Sequence, residues 1–284
     1  MARRWLAPTT VLALALVAGG PATALVVDAH GNWSFTAGEE SIGDQAFDLG
    51  FDTDARVEGT ATGLGASADY LAESDVASGA FGVYGAVDAD GTMTDAKGDV
   101  RITFVDDLEL VGDLAALGGA PVTVSVTTTG TIQASAGATA LASSQVNSNL
   151  SLGSSIDFDT NSAGLSVRAG GIWTGGTVLP GTETEVFLQR LSSSARVDPD
   201  DPKLRLSFTL SASTRAVAAA AFADVADTAR LGIALPPGVD YVSSGGLQLE
   251  TVPLPGALPL MISAGAGLAW WRRRATRAGR SSTT

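Results

Sequence analysis

The sequence predicts an all-β fold, an antiparallel β-sandwich with a jelly-roll-like arrangement, flanked by an N-terminal signal peptide and a C-terminal transmembrane helix. Apolar and polar residues alternate with period two in several short runs, most clearly at 100–104, 122–126 and 204–210. Such alternation buries one face of a strand and exposes the other, as in an antiparallel sheet. Turn-forming residues separate the runs, and one apolar segment stands near each end of the chain.

The first 24 residues have the layout of a secretory signal peptide. Arg3 and Arg4 form a short positive region, residues 11–18 form an apolar run, and Ala22 and Ala24 place small residues two positions apart. This order predicts export and cleavage by signal peptidase after Ala24. The paired arginines also fit a twin-arginine signal, but any signal peptide needs a positive start, so the ordinary secretory route is favoured.

The exported body, residues 25–252, is strongly acidic and contains no cysteine. It holds 10 basic and 30 acidic residues, so its net charge is −20, against −13 for the whole chain. Such a surface repels phosphate backbones, which argues against nucleic acid as a partner. The lack of cysteine excludes disulfides, thiolate metal sites and cysteine nucleophiles. The body is long enough to form one domain with its own core.

Short strands are predicted along the body. Turns are expected at 88–91, 198–202 and 236–238, where aspartate, proline and glycine cluster. Two segments allow more than one interpretation. Residues 134–148 form a loop or a weakly patterned strand. Residues 214–230 have the alanine content of a helix or of a strand lined with small side chains. Besides the three runs given above, the candidate strands cover residues 33–36, 57–62, 80–87, 150–158, 184–188, 231–235 and 246–250.

The segment 253–284, with Val252 before it, combines a motif, an apolar stretch and a basic cluster. At a helical rise of about 1.5 Å per residue, the 18 residues 254–271 only just cross a hydrocarbon core of about 30 Å. The basic cluster after them stays in the cytoplasm, which places the body outside the membrane. The motif is Val252, Pro253, Leu254, Pro255 and Gly256, and the basic cluster is Arg272, Arg273 and Arg274.

This tripartite end closely resembles the PEP-CTERM family of sorting signals, in the variant that reads Val-Pro-Leu-Pro-Ala, with Gly256 in the position of the alanine. The resemblance implies that an exosortase-type transpeptidase recognises the motif, the helix and the arginines, and cleaves near the motif. It also implies that the body, anchored transiently in the inner membrane, reaches the cell surface or extracellular matrix and associates with exopolysaccharide. A plain membrane anchor whose prolines start the helix is the alternative. A looser resemblance, to the last strands of bodies in this family, favours a strand at 214–230.

Nothing in the body predicts an enzyme. His30 is the single histidine and lies six residues into the mature chain, where we expect a frayed terminus and an exposed side chain. The composition permits two-carboxylate glycoside hydrolysis, and Glu183 with Glu185, or Asp157 with Asp159, would place two carboxylates on one strand face. With 30 acidic residues such pairs arise by chance, so solvated strand faces are favoured.

Aspartates near Gly91 are the only pattern that suggests a metal. Asp88, Asp90, Asp95 and Asp99 suit a β-turn first and, as the alternative, a weak structural calcium site. Their spacing does not fit an EF-hand. A histidine zinc site is excluded because one histidine cannot supply the ligands, and no other cofactor is expected.

Aromatic residues are the candidates for stacking on sugar rings. Trp173 is the favoured ligand contact, because the glycine pairs 170–171 and 175–176 flank it in a predicted exposed loop. Core packing explains the others equally well, and they are Trp33, Tyr70, Tyr84 and Tyr241. We therefore expect a non-catalytic matrix protein, with a carbohydrate-binding or adhesion module and a secreted glycoside hydrolase as alternatives.

Overall fold

The structure, a computed structural model, describes residues 26–51, 54–90, 94–117, 119–170, 172–173, 176–177 and 179–251; for 51, 172–173, 176–177, 227–228 and 251 it describes the backbone only. These residues form one 12-stranded sheet and a separate two-stranded hairpin. The strand pairs are antiparallel, except for one short parallel pair. A single 3-10 turn, Leu114–Leu117, is the only helical element in this part of the chain. The all-β prediction is confirmed.

Fourteen strands follow one another along the chain. They are β1 (Val26–Ala37), β2 (Glu40–Phe51), β3 (Arg56–Gly63), β4 (Ala66–Asp75), β5 (Ala80–Ala89), β6 (Thr94–Gly112), β7 (Val122–Gly153), β8 (Phe158–Ala169), β9 (Ile172–Trp173), β10 (Gly176–Thr177), β11 (Gly181–Ala195), β12 (Lys203–Ala234), β13 (Val239–Ser243) and β14 (Glu250–Thr251).

Two strands of 32 residues, β7 and β12, lie side by side at the centre of the sheet. On its other edge, β12 pairs first with β6 and then with β5. The sheet therefore has two halves that share β7 and β12. Half-sheet A has the order β2-β1-β6-β12-β7-β8, and half-sheet B has the order β3-β4-β5-β12-β7-β11.

The shared strands change partners at an irregularity near their middle. Val217 pairs with Leu141 and Ala219 with Ala136, so four residues of β7 oppose one residue of β12. That residue, Ala218, has a φ of 50°, which is uncommon for a residue with a side chain. Bulges of this kind let one strand turn a corner and continue in a second sheet layer.

The two half-sheets face each other and enclose the core. Contacts without backbone pairing join β1 to β3 and β4, β2 to β3, β4 to β6, and β8 to β11. Phe81 of half-sheet B packs against Phe104 and Phe208 of half-sheet A, with ring centroids 5.2 and 5.8 Å apart. Tilted aromatic pairs of this kind add about 0.5–1.5 kcal/mol beyond their buried area.

Aspartate side chains cover the open edges where the two half-sheets meet. On one side, Asp48 of β2 accepts a hydrogen bond from the Arg56 amide of β3 at 3.0 Å. On the other side, Asp159 of β8 accepts one from the Ser194 amide of β11 at 2.9 Å. Unpaired strand edges invite pairing with other chains, and these two bonds instead engage edge amides of β3 and β11 within the fold.

The C-terminal strap, residues 239–251, pairs with the sheet through two short strands. β13 pairs with the end of β6, and β14 pairs with β12 in the parallel direction. Asp106, 1% exposed, accepts hydrogen bonds from the hydroxyls of Ser243 and Ser244, each at 2.6 Å. These bonds satisfy a buried carboxylate, which would otherwise carry a large desolvation cost.

The structure corrects several sequence-based predictions. The candidate strand 150–158 is split, because Ser154 and Asp157 close a turn between β7 and β8. Most of 246–250 lies outside any strand, and 88–91 begins inside β5. The strands are also longer than predicted. β7 runs through 134–148, which confirms the strand alternative for that segment and excludes the loop.

Other predictions are confirmed. The segment 214–230 lies within β12, as the strand alternative requires. The turns at 198–202 and 236–238 are present, closed by backbone hydrogen bonds from Asp201 to Asp198 and from Val239 to Pro236. Within the described residues, no helix has the length and apolarity to cross a membrane. The predicted signal peptide and the span 254–271 lie outside them.

Candidate functional site

The residues of the predicted targeting signals lie outside the described part of the chain. This holds for Ala24 at the signal cleavage point, for the sorting motif 252–256 and for the basic cluster 272–274. Trp173 belongs to the short hairpin of β9 and β10, but its side chain is also outside the description. These predictions therefore stay predictions.

His30 does not lie at a frayed terminus. It sits in the middle of β1, paired with Phe47 of β2 and Arg101 of β6, and its side chain is half-buried. The expectation of an exposed histidine was wrong, because β1 pairs with β2 on one side and with β6 on the other. The chain position alone gave no sign of that pairing.

The two carboxylate pairs take different positions. Glu183 and Glu185 are exposed on β11. Asp157 accepts a hydrogen bond from the Arg196 amide at 3.0 Å, which holds the pKa of Asp157 below its ordinary value. The general acid of a glycoside hydrolase needs a raised pKa, so Asp157 has the opposite property. With Asp159, it serves to join β8 to β11.

The aspartates near Gly91 separate onto different strands. Asp88 is near the end of β5, while Asp95 and Asp99 lie in β6. Asp95 accepts two hydrogen bonds from Arg215, both at 2.9 Å, so a guanidinium already occupies this carboxylate. Across the described residues, no group of three or more acidic or histidine side chains could hold a metal ion.

Of the four aromatic candidates with described side chains, three pack inside the fold. Trp33 lies 4.8 Å from Phe35 between ring centroids, and Tyr241 bonds within the C-terminal strap. Tyr70 fills the space beside two glycines of facing strands. The fourth, Tyr84, lies on the outer face of half-sheet B and borders a surface hollow.

The Tyr84 hollow has a volume of about 260 Å³. One cross-strand row forms its centre, because Asp69, Ala86, Phe222 and Gln133 are successive partners on β4, β5, β12 and β7. Ala86 is small, whereas its neighbours in the row are large, so the surface is depressed at this point. Tyr84 borders the hollow on one side of that row.

Asp88 and Ser67 extend the hollow on the other side of the central row. Both also line an adjoining hollow of about 350 Å³, beside the turn that joins β3 to β4. Asp88 and Ser67 are cross-strand partners, so they form one wall shared by two depressions. The two depressions therefore adjoin on the outer face of half-sheet B.

Tyr84 remains a neutral phenol across the physiological range. Partial burial raises its pKa, and the carboxylates of Asp69 and Asp224 raise it further because they repel the phenolate. The neutral phenol donates one hydrogen bond and offers an aromatic face. Carboxylates beside it accept hydrogen bonds from hydroxyl groups, and Gln133 can both donate and accept.

Sequence reasoning identified part of this hollow. Tyr84 was a stacking candidate and Asp88 a calcium candidate, but Asp69, Gln133 and Phe222 were missed. These three come from separate strands, and only the sheet register brings them together. The alanines around Phe222 favoured a helix by intrinsic propensity, and the strand alternative for 214–230 came from the looser family resemblance.

Comparison with known proteins finds no family model that matches the chain and no curated protein similar to it.

Proposed function

We propose that the protein is an exported, non-catalytic surface protein, with a β-sandwich body of jelly-roll-like arrangement that binds exopolysaccharide through the Tyr84 hollow. The observation that carries the proposal is the combination of two aromatic side chains, Tyr84 and Phe222, with carboxylate and amide groups around one hollow. Aromatic rings stack on the apolar face of a sugar, while polar groups bond its hydroxyls.

The rigidity of the site supports this role. The residues of the hollow stand on strands paired on both sides, so a ligand would not need to order them. The two depressions adjoin at Ser67 and Asp88, so a polymer could contact both of them. No metal or catalytic group is needed for such binding.

Delivery to the surface follows from the terminal segments. We propose cleavage by signal peptidase after Ala24, transient anchoring in the inner membrane, and processing near 252–256 by an exosortase-type transpeptidase. The mass of protein recovered from the cell surface tests this step. A mass that still includes residues 272–284 would contradict it and favour the plain membrane anchor.

Affinity electrophoresis tests the binding proposal. The full chain, kept in mild detergent, is run through gels with and without the exopolysaccharide of the producing organism. We expect the exopolysaccharide to retard the unchanged chain. Tyr84→Ala should raise the dissociation constant about fivefold to tenfold, since stacking contributes about 1 kcal/mol. Tyr84→Phe keeps the ring and should retain most of the binding.

Phe47→Ala is the matched control. Phe47 is 73% exposed on β2, in the other half-sheet, so its removal deletes an aromatic ring without touching the hollow. Equal retardation of the unchanged chain, Tyr84→Ala and Phe47→Ala would reject the hollow as the site. No retardation of any variant would reject polysaccharide binding itself.

A further inference from the structure

A second hollow lies on the outer face of half-sheet A, away from the Tyr84 hollow. Its volume is about 230 Å³. Lys97, Arg215, Ser143 and Arg168 are successive partners on β6, β12, β7 and β8, and all four line it. Neighbouring strands are about 4.8 Å apart, so this row carries three cationic side chains within about 15 Å.

The charge of this row is opposite to that of the body. Asp95 pairs with Arg215 at 2.9 Å and with Lys97 at 3.3 Å, and Asp99 also borders the hollow. Three cations and two carboxylates leave a local charge of +1, whereas the body as a whole carries −20. At physiological ionic strength charges are screened beyond about 8 Å, so a ligand in the hollow responds mainly to these nearby groups.

The remaining walls are polar and uncharged. Ser143 and Ser213 supply hydroxyls, and Gln145 supplies an amide, which donates a hydrogen bond to Asn147 at 2.9 Å. Hydroxyls and amides of this kind bond the hydroxyl groups of a sugar. The hollow thus combines groups for a sugar ring with cations for a negative substituent.

We propose that this cationic hollow binds the carboxylate-bearing sugars of an acidic polysaccharide, as a second site distinct from the Tyr84 hollow. Guanidinium groups bind carboxylates through paired hydrogen bonds, and the ion pair with Asp95 holds Arg215 in place between Lys97 and Ser143 in the row. The inference rests on the proposed association with polysaccharide and adds the charge class of the polymer. With sites on opposite faces, one molecule would join two polymer segments.

Affinity electrophoresis with polygalacturonate tests the inference, with carboxyl-reduced polygalacturonate as the neutral comparison. The double variant Lys97→Gln/Arg168→Gln removes two cations from the hollow. We expect the full chain to be retarded by polygalacturonate at 0.15 M salt and the double variant to bind about tenfold more weakly, because charge-assisted hydrogen bonds are lost. Retardation by the carboxyl-reduced polymer should be equal for both.

A matched control removes the same charge elsewhere on the same face. Lys203→Gln/Arg205→Gln alters β12 about 10 residues from Arg215, or about 33 Å along the strand. We expect this variant to bind polygalacturonate like the unchanged chain. Equal losses in both double variants would overturn the inference, because net charge and not the hollow would then decide binding. Thermal unfolding of each variant establishes that it is folded.

The outcomes separate this inference from the proposed function. Retardation by the organism's own exopolysaccharide without any retardation by polygalacturonate would overturn the inference and leave the Tyr84 hollow intact. No retardation by either polymer would overturn both. A thymidine oligonucleotide that competes as well as polygalacturonate would overturn the sugar specificity of the cationic hollow, since it offers charge without uronic acids.

Discussion

Tyr70 shows how single residues hold the two half-sheets together. Its ring extends from β4 across the interior to Gly31 of β1 and also covers Gly59 of β3. A Cβ atom at either glycine would overlap the ring. The two glycines are therefore needed for close packing and not for an unusual backbone conformation.

Gly59→Ala should lower the free energy of unfolding by about 1–3 kcal/mol, because overpacking forces the ring of Tyr70 or its strand to move. Denaturant unfolding followed by tyrosine or tryptophan fluorescence measures the change. Gly137→Ala is the control, since a Cβ at Gly137 meets no atom within 4 Å. Equal effects of the two substitutions would mean that the Tyr70 contact does not limit packing.

Asp157 gives a prediction about pH. Hydrogen bonds from the amides of Arg196 and Phe158 lower its pKa from the ordinary value of 3.8, so the folded protein binds its proton less readily than the unfolded chain. This contribution to stability is present above pH 3.8 and is lost as the pH falls through the lower folded value. The bond to Arg196 also holds β8 against β11.

Asp157→Ala should therefore lower the melting temperature at pH 7 and have a smaller effect near pH 3, where part of this contribution to stability has been lost. Melting curves at both pH values test this. Glu183→Ala serves as the control, because Glu183 is an exposed carboxylate on β11. If the decrease in melting temperature caused by Asp157→Ala were the same at pH 7 and at pH 3, the stabilising role of the ionised Asp157 would be contradicted.

β12 shows where tertiary context overrides local preference. Alanine favours helices, yet the alanine-rich part of β12 is extended, because β7 pairs along one edge and β5 along the other. The alternation was visible to sequence reasoning at 204–210 and faint at 214–230. Its continuation over 32 residues could not be predicted, since length depends on neighbours that lie far away in the chain.

The bulge at Ala218 could not be predicted either. Positive φ is usually signalled by glycine or asparagine, and this position has alanine. The corner where β12 passes from one half-sheet to the other therefore left no mark in the sequence. The sequence did predict the strands that lie on each side of it.

Ala218→Gly should raise the free energy of unfolding by about 0.5–1 kcal/mol. Relief of a left-handed alanine is worth about 1–2 kcal/mol, which exceeds the entropic cost of about 0.5–1 kcal/mol for a glycine. Ala216→Gly, two residues earlier in a buried and regular part of β12, should lower stability instead. The denaturant midpoints of the two variants measure these changes. A loss of stability in both variants would contradict the claim that the backbone at Ala218 is strained.

The molecule as a whole has an apolar interior and two outer faces that differ in their charged groups. The core between the half-sheets is apolar and the open edges are closed by aspartates, while the two outer faces carry hollows with different charge. The sequence predicted the all-β class, because strand alternation is a local pattern. The hollows could not be predicted, because each is assembled by register from four strands or more.

Retention in the native matrix tests most directly whether the body binds exopolysaccharide through Tyr84. Cells of the producing organism express the unchanged chain, Tyr84→Ala or Phe47→Ala, and the protein is quantified in the washed matrix and in the medium. We predict that the unchanged chain and Phe47→Ala remain in the matrix, while Tyr84→Ala appears mainly in the medium. Equal retention of all three, or retention in cells that make no exopolysaccharide, would contradict the proposed binding.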